Sequence, residues 1–141
     1  MSVISCALLV DDDDTTNFLN QRLLKKAAVT DTVLVAGNGR EALDLLQSHC
    51  EQPASPTCPA LILLDMKMPI MDGMEFLEAY TQRLENRNPS VVIIMLTTSL
   101  NPNDVAKMQN LPIAGYLTKP LTTEKINHMM VEHFGQAAPA S

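Results

Sequence analysis

Short apolar runs alternate along this chain with segments whose apolar residues recur at helical spacing, and that alternation limits the fold more than any other feature. Residues 7–10, Ala-Leu-Leu-Val, stop at Asp11 as a buried parallel strand would. Further runs cover 32–36, ended by Gly37, and 61–64, stopped at Asp65. Two more cover 91–96, ended by Thr97 and Thr98, and 113–117, ahead of Lys119 and Pro120. Between them, Phe18, Leu19, Leu23 and Leu24 predict a first helix, residues 40–49 a second, and Met74, Leu77, Tyr80 and Leu84 a third. A shorter helix opens at Asn101-Pro102 and runs through Met108. Ile126, Met129, Met130 and Phe134 define the last, with Thr122 as its cap. Strand and helix thus alternate five times. Parallel strands need long crossovers and helices supply them, so the pattern predicts a parallel sheet covered on both faces.

Right-handed crossovers leave few topologies. In doubly wound sheets, ligands bind beyond the carboxyl ends of the strands, where strand order reverses. For the order 2-1-3-4-5 that point lies between the first and third strands, whose ends carry Asp11, Asp12 and Asp65. The expected fold is α/β: a flavodoxin-like doubly wound sheet of five parallel strands in order 2-1-3-4-5, with five helices. One domain over 1–135 is expected, followed by a small, polar, disordered tail at 136–141.

Gathered in one crevice, two carboxylates about 4 Å apart repel by about 4 kcal/mol at an effective dielectric of about 20. Such a cluster must take up a proton, spread out or hold a cation. Hard carboxylate oxygens with room for water suit Mg²⁺, and a phosphate oxygen would complete its coordination. No His or Cys stands at these strand ends, which disfavours zinc. Thr97 brings a hydroxyl to the same end of the sheet, and Lys119 a positive charge on a flexible stem. Mg²⁺, an ammonium and a hydroxyl around one free carboxylate suit phosphoryl transfer, in which the protein positions reactants and neutralises charge. Asp65 closes the central third strand and is the expected nucleophile.

Composition removes other classes. The 141 residues suffice for one domain, and 46% hydrophobic content builds a core without a disulfide or structural metal. The net charge is −6 and the ten Lys and Arg residues are scattered, so no basic stripe exists to bind nucleic acid. Aromatics at 4%, with no Trp, leave no platform for stacking bases. Nothing approaches the length of a membrane span, and the apolar start runs into four aspartates, as no signal peptide does. A cytoplasmic protein with no nucleic-acid or membrane partner is expected. Three cysteines fit a reducing compartment. Cys50 and Cys58 flank a Pro-rich loop and could approach each other, but two unpaired thiols are the expected state.

The residues Val10-Asp11-Asp12, Leu64-Asp65-Met-Lys-Met-Pro69, Met71-Asp72-Gly73, Leu96-Thr97-Thr98 and Gly115-Tyr116-Leu-Thr-Lys119-Pro120 resemble response regulator receiver domains. The motifs stand in the family's order at similar separations, from the first strand to the last helix. With no output domain in the sequence, the chain is similar to the stand-alone, chemotaxis-regulator-like members. The resemblance implies that Asp65 accepts a phosphoryl group from a histidine kinase or a histidine phosphotransfer protein. It implies that Asp12 and Asp65 hold Mg²⁺ directly, with Asp11 helping through water and the Lys67 carbonyl as a further ligand. Thr97 and Lys119 would bind the phosphoryl oxygens, and Tyr116 would change rotamer as Thr97 is drawn inward. The signal would leave through the surface of the fourth helix, fifth strand and fifth helix toward a downstream protein, as a population shift between two packings. The chain would be no enzyme beyond Mg²⁺-dependent self-phosphorylation from a donor and self-dephosphorylation.

Two places depart from the family's pattern. Lys67 stands where a neutral or smaller side chain is frequent. Its amine either leans toward the phosphate or Asp11, or is solvated while its carbonyl alone takes part. The loop at 51–59 is longer than usual and is expected at the end of the sheet opposite the acids, as a tolerated insertion.

A rival reading is an enzyme. Residues 8–15 also fit the strand-D-x-D-x-T pattern of haloacid dehalogenase-like phosphatases, with Asp11 as nucleophile. Against it stand the missing acidic motif after the lysine, the missing cap-sized insertions and an Asp65 motif left without a purpose. A pure interaction module is disfavoured because every pocket residue is present. The Asp run lacks the Gly and closing Glu of a calcium loop, and Asp13 and Asp14 are expected as a solvated helix start. Gly37-Asn-Gly39 is read as the turn into the second helix, the three histidines as helix-surface residues, and the nine methionines mostly as core.

Overall fold

The computed structural model describes residues 3–50, 57–66, 68, 70–83, 91–98, 101–109 and 113–135. Strands β1 (Ala7–Val10), β2 (Val33–Ala36), β3 (Leu61–Asp65), β4 (Val92–Thr97) and β5 (Gly115–Thr118) alternate with five helices. These are α1 (Asp14–Lys26), α2 (Gly39–His49), α3 (Gly73–Arg83), α4 (Pro102–Gln109) and α5 (Thr123–Phe134). All neighbouring strands are parallel, in the order β2-β1-β3-β4-β5. The expected flavodoxin-like architecture is the observed one.

Strand alternation divides the core in two. Leu8, Val10, Ile62, Leu64, Ile93 and Met95 face α2 and α3, where Leu43, Leu46, Phe76 and Leu77 meet them. Ala7, Leu9, Leu61, Leu63, Ile94 and Leu96 face the other way, onto Leu24 of α1 and Ile126, Met129 and Met130 of α5. Burial on both faces is why these strands read as unbroken apolar runs.

Local chemistry sets the helix starts. The Asp13 carboxylate accepts from the Thr15 N–H at 3.1 Å and the Thr16 hydroxyl at 2.7 Å, capping α1. Asn38 caps α2 and Thr122 caps α5. Asp72 accepts from the Glu75 N–H at 2.8 Å while the Glu75 carboxylate accepts from the Asp72 N–H at 3.2 Å, a reciprocal box that opens α3.

Several expectations are corrected. Phe18 and Leu19 are 57% and 52% exposed, and α1 instead buries Asn17, Asn20 and Leu24. The inward face of α1 meets polar strand ends as well as the core, so its buried stripe is partly polar. Cys50, at the end of α2, and Cys58, ahead of β3, form a disulfide, which overturns the expectation of two unpaired thiols. Helix α2 runs back against the strands, so its end lies beside the start of β3, and a Cα separation of 4.8 Å suits a bridge. His133 is not a free surface residue: its side chain is 15% exposed, beside Gly115 of β5. Leu84, most of the 51–59 loop and the 136–141 tail lie outside the described residues.

Candidate functional site

The carboxyl ends of β1 and β3 form the floor of the site. The Asp11 N–H donates to the Ala36 carbonyl at 3.1 Å, which carries the β1–β2 ladder one residue past the strand. One Asp11 carboxylate oxygen, Oδ1, accepts from the Asp13 N–H at 2.9 Å, and the other, Oδ2, accepts from the Lys119 ammonium at 2.7 Å. Asp65 ends β3 opposite Leu96 of β4, and its Oδ1 lies 3.2 Å from the same ammonium. Asp11 and Asp65 are buried and Asp12 is exposed. A carboxylate oxygen of each lies within 4.8 Å of those of the other two.

Lys119 arrives from the far side of the sheet. Its N–H donates to the Thr97 carbonyl at 2.8 Å, which ties the turn after β5 to the end of β4. Thr97 itself is 4% exposed. Tyr116 sits on the edge strand opposite Met95 and is 38% exposed. The structure therefore brings Asp11, Asp12, Asp65 and Lys119 into one crevice, with Thr97 at the adjoining strand end and Tyr116 one strand further out. Lys67 lies outside the described residues.

Two carboxylates at 4.8 Å repel by about 3.5 kcal/mol at an effective dielectric of 20. Burial opposes the charge of Lys119, but its hydrogen bond to Asp11 and the nearby charge of Asp65 outweigh that, and its pKa is raised above the usual lysine value. One ammonium cannot balance three carboxylates. The donor set is all hard oxygen and Asp12 opens to solvent, so these residues fit a Mg²⁺ ion that retains some of its water.

Two supporting residues were not legible in the sequence. Asn17 is buried, and its Nδ2 donates to the Asp11 carbonyl at 2.8 Å, pinning the turn that presents Asp11 and Asp12. Its Oδ1 is buried with no partner among the described residues. Lys125 binds the turn that carries Lys119. Neither pattern announces itself, because an Asn in a helix and a Lys near a cap are both commonplace surface residues. Beside the pocket, a groove of about 810 Å³ runs between α1 and the turn after β5, lined by Leu19, Leu23, Pro120 and Leu121 together with Arg22 and Lys26.

The family model for the response regulator receiver domain matches residues 7–131. The chain belongs to the response regulator receiver family. As a receiver domain it is a protein of two-component signalling, similar to the response regulator Rcp1 of Synechocystis, with 35% identity over 79% of this chain and 74% of the relative. A two-component response regulator of Cytophaga hutchinsonii superposes with a TM-score of 0.81 at 26% identity, covering 93% of this receiver and 97% of that chain. The chemotaxis protein CheY4 of Vibrio cholerae gives 0.75 at 27% identity, over 92% and 98%.

Proposed function

We propose that this receiver is switched by Mg²⁺-dependent phosphorylation of Asp65 by a histidine kinase or histidine phosphotransfer protein. The observation that carries the reading is the Lys119 ammonium, 2.7 Å from Asp11 and 3.2 Å from Asp65, over three convergent carboxylates. Asp12 and Asp65 would hold Mg²⁺, with Asp11 through water and the Lys67 carbonyl as a further ligand. The ion supplies the positive charge that lets a carboxylate approach an anionic phosphoryl group.

In the transfer, an Asp65 oxygen forms the new O–P bond while the donor's N–P bond breaks. The electron pair of that bond stays with the imidazole nitrogen, which takes a proton from solvent. Lys119 pairs with the phosphoryl oxygens as charge gathers there, and the Thr97 hydroxyl donates to one of them. The Lys119 N–H donates to the Thr97 carbonyl, which joins the two strand ends that carry these side chains. Tyr116 follows Thr97 inward, and the surface of α4, β5 and α5 changes for a downstream protein. Apart from this self-phosphorylation and the later hydrolysis, the domain catalyses nothing.

A protein donor must cover the crevice to deliver its phosphohistidine, and the apolar and basic groove beside it offers that donor ground to rest on. The domain is proposed to span 1–135 and to act in the cytoplasm, where phosphoryl donors are made. Among the described residues no helix is long and apolar enough to cross a membrane. The phosphatase reading loses its ground to the family, since residues 7–131 match the receiver domain and Asp65 stands at the end of β3 within that match.

Incubation with phosphoramidate and Mg²⁺, followed by intact-mass and peptide mass spectrometry, tests the proposal. One phosphoryl group on Asp65 is expected, lost in Asp65→Asn and on chelation of Mg²⁺. Undiminished uptake in Asp65→Asn would overturn it, and label on Asp11 would restore the phosphatase.

A further inference from the structure

Lys125 stands in the first turn of α5, three residues after the Thr122 cap. That place suits it badly. A helix N-terminus carries partial positive charge, which disfavours a cation there, and the third residue after a Thr cap usually bears an acid or amide that completes the capping box. Yet the ammonium is fully engaged. It donates to the Thr118 carbonyl at 2.9 Å, to the Thr118 hydroxyl at 3.0 Å and to the Pro120 carbonyl at 3.0 Å. Three is the complete donor set of a lysine.

All three acceptors belong to the residues on either side of Lys119. On its other side, the Lys119 N–H donates to the Thr97 carbonyl. The main chain that launches the Lys119 side chain is thus gripped from both directions, by β4 and by α5. The hydrogen bonds of the Lys125 ammonium go to Thr118 and Pro120, so it acts on the pocket through the turn.

We infer that Lys125 is a positioning residue: it fixes the turn of residues 118–120 so that the Lys119 ammonium is held over Asp65 and meets the phosphoryl group there. This deepens the phosphoacceptor reading and rests on it. Holding the turn in advance spares the ordering of a long side chain when the phosphoryl group arrives. The main chain that carries Asp11, Asp12 and Asp65 belongs to the ends of β1 and β3 and not to this turn, so Lys125 should matter to the phosphoryl group and little to the metal.

The test is equilibrium binding of two probes to the full chain. Mg²⁺ alone is titrated by calorimetry, and beryllofluoride at saturating Mg²⁺ by fluorine NMR. In Lys125→Met, beryllofluoride affinity is expected to fall about tenfold while Mg²⁺ affinity stays within about twofold, since a displaced ammonium loses its reach to the phosphoryl site. Lys125→Arg, which keeps the charge and several donors, should recover most of the loss. Thr118→Val removes one acceptor with little change of shape and should cost about threefold. It keeps the inference testable should Lys125→Met not fold. Unchanged beryllofluoride affinity in the folded variants would overturn the inference. So would parallel losses of beryllofluoride and Mg²⁺, the mark of general damage. Failure of the wild type to bind beryllofluoride would instead sink the phosphoacceptor reading itself.

Discussion

Cys6 and Lys119 illustrate how burial acts on a single ionisable side chain. Lys119 keeps its charge because two carboxylates stand beside it. Cys6 is fully buried before β1, and burial pushes its thiol up from 9.0 to about 11. The folded chain therefore retains a proton that the unfolded chain releases above pH 9.0. Stability from this group is intact below that pH and falls as pH climbs toward about 11. The loss expected is on the order of 3 kcal/mol. Urea unfolding at pH 8 and at pH 10.5, in a Cys50→Ser, Cys58→Ser background where no disulfide can exchange, checks it. The midpoint should drop further with Cys6 present than in Cys6→Ala, and equal drops would show that the thiol titrates freely in the fold.

At the scale of elements, the join between β3 and α3 is the tightest part of the site. The Gly73 N–H donates to the Met66 carbonyl at 3.1 Å, and a Cβ on Gly73 would lie 2.7 Å from the Asp65 carbonyl oxygen and 3.2 Å from the Met66 Cα. Those neighbours are main chain and cannot swing away. Gly73→Ala should therefore cost about 2 kcal/mol, as overpacking does, and slow phosphodonor uptake by shifting Asp65. A Cβ on Gly39 would meet the Met71 carbonyl oxygen at 3.0 Å, but its closest contact, Met71 Cγ at 2.8 Å, lies on a flexible side chain. Gly39→Ala should be the milder change. Chemical denaturation and uptake rates of the two variants check the order, and equal effects would mean that the β3–α3 join yields as readily as a side chain.

For the whole molecule, the disulfide ties the end of α2 to the start of β3 at the far end of the sheet from the acids. A link across eight positions removes unfolded-state freedom worth about 2.5 kcal/mol in the chain-entropy account. A reductant should lower the urea midpoint accordingly, and that shift should vanish in Cys50→Ser, Cys58→Ser. Thiol titration in denaturant should count one group before reduction, Cys6, and three after it. Three groups before reduction would mean that the pair is open as the protein is made. In the cytoplasm proposed for this receiver, glutathione and thioredoxin act against the bridge, so the redox state of the pair follows the compartment.

What the chain determined by itself was local or nearly so. Strand runs, helix periodicity and the Thr122 cap depend on neighbours a few positions away, and alternation with right-handed crossovers then leaves few sheet orders, 2-1-3-4-5 among them. Aspartates at the ends of β1 and β3 were bound to meet wherever that order held. Tertiary structure alone decided which face of α1 turns inward, exposing Phe18 and burying Asn17. It also decided that Cys50 meets Cys58 and that Lys125 grips the turn of Lys119. The Lys119–Asp11 bond joins residues 108 positions apart. Such contacts depend on how helices sit on the sheet to within an ångström or two, and periodicity, which reports only which residues are apolar, does not carry that distance.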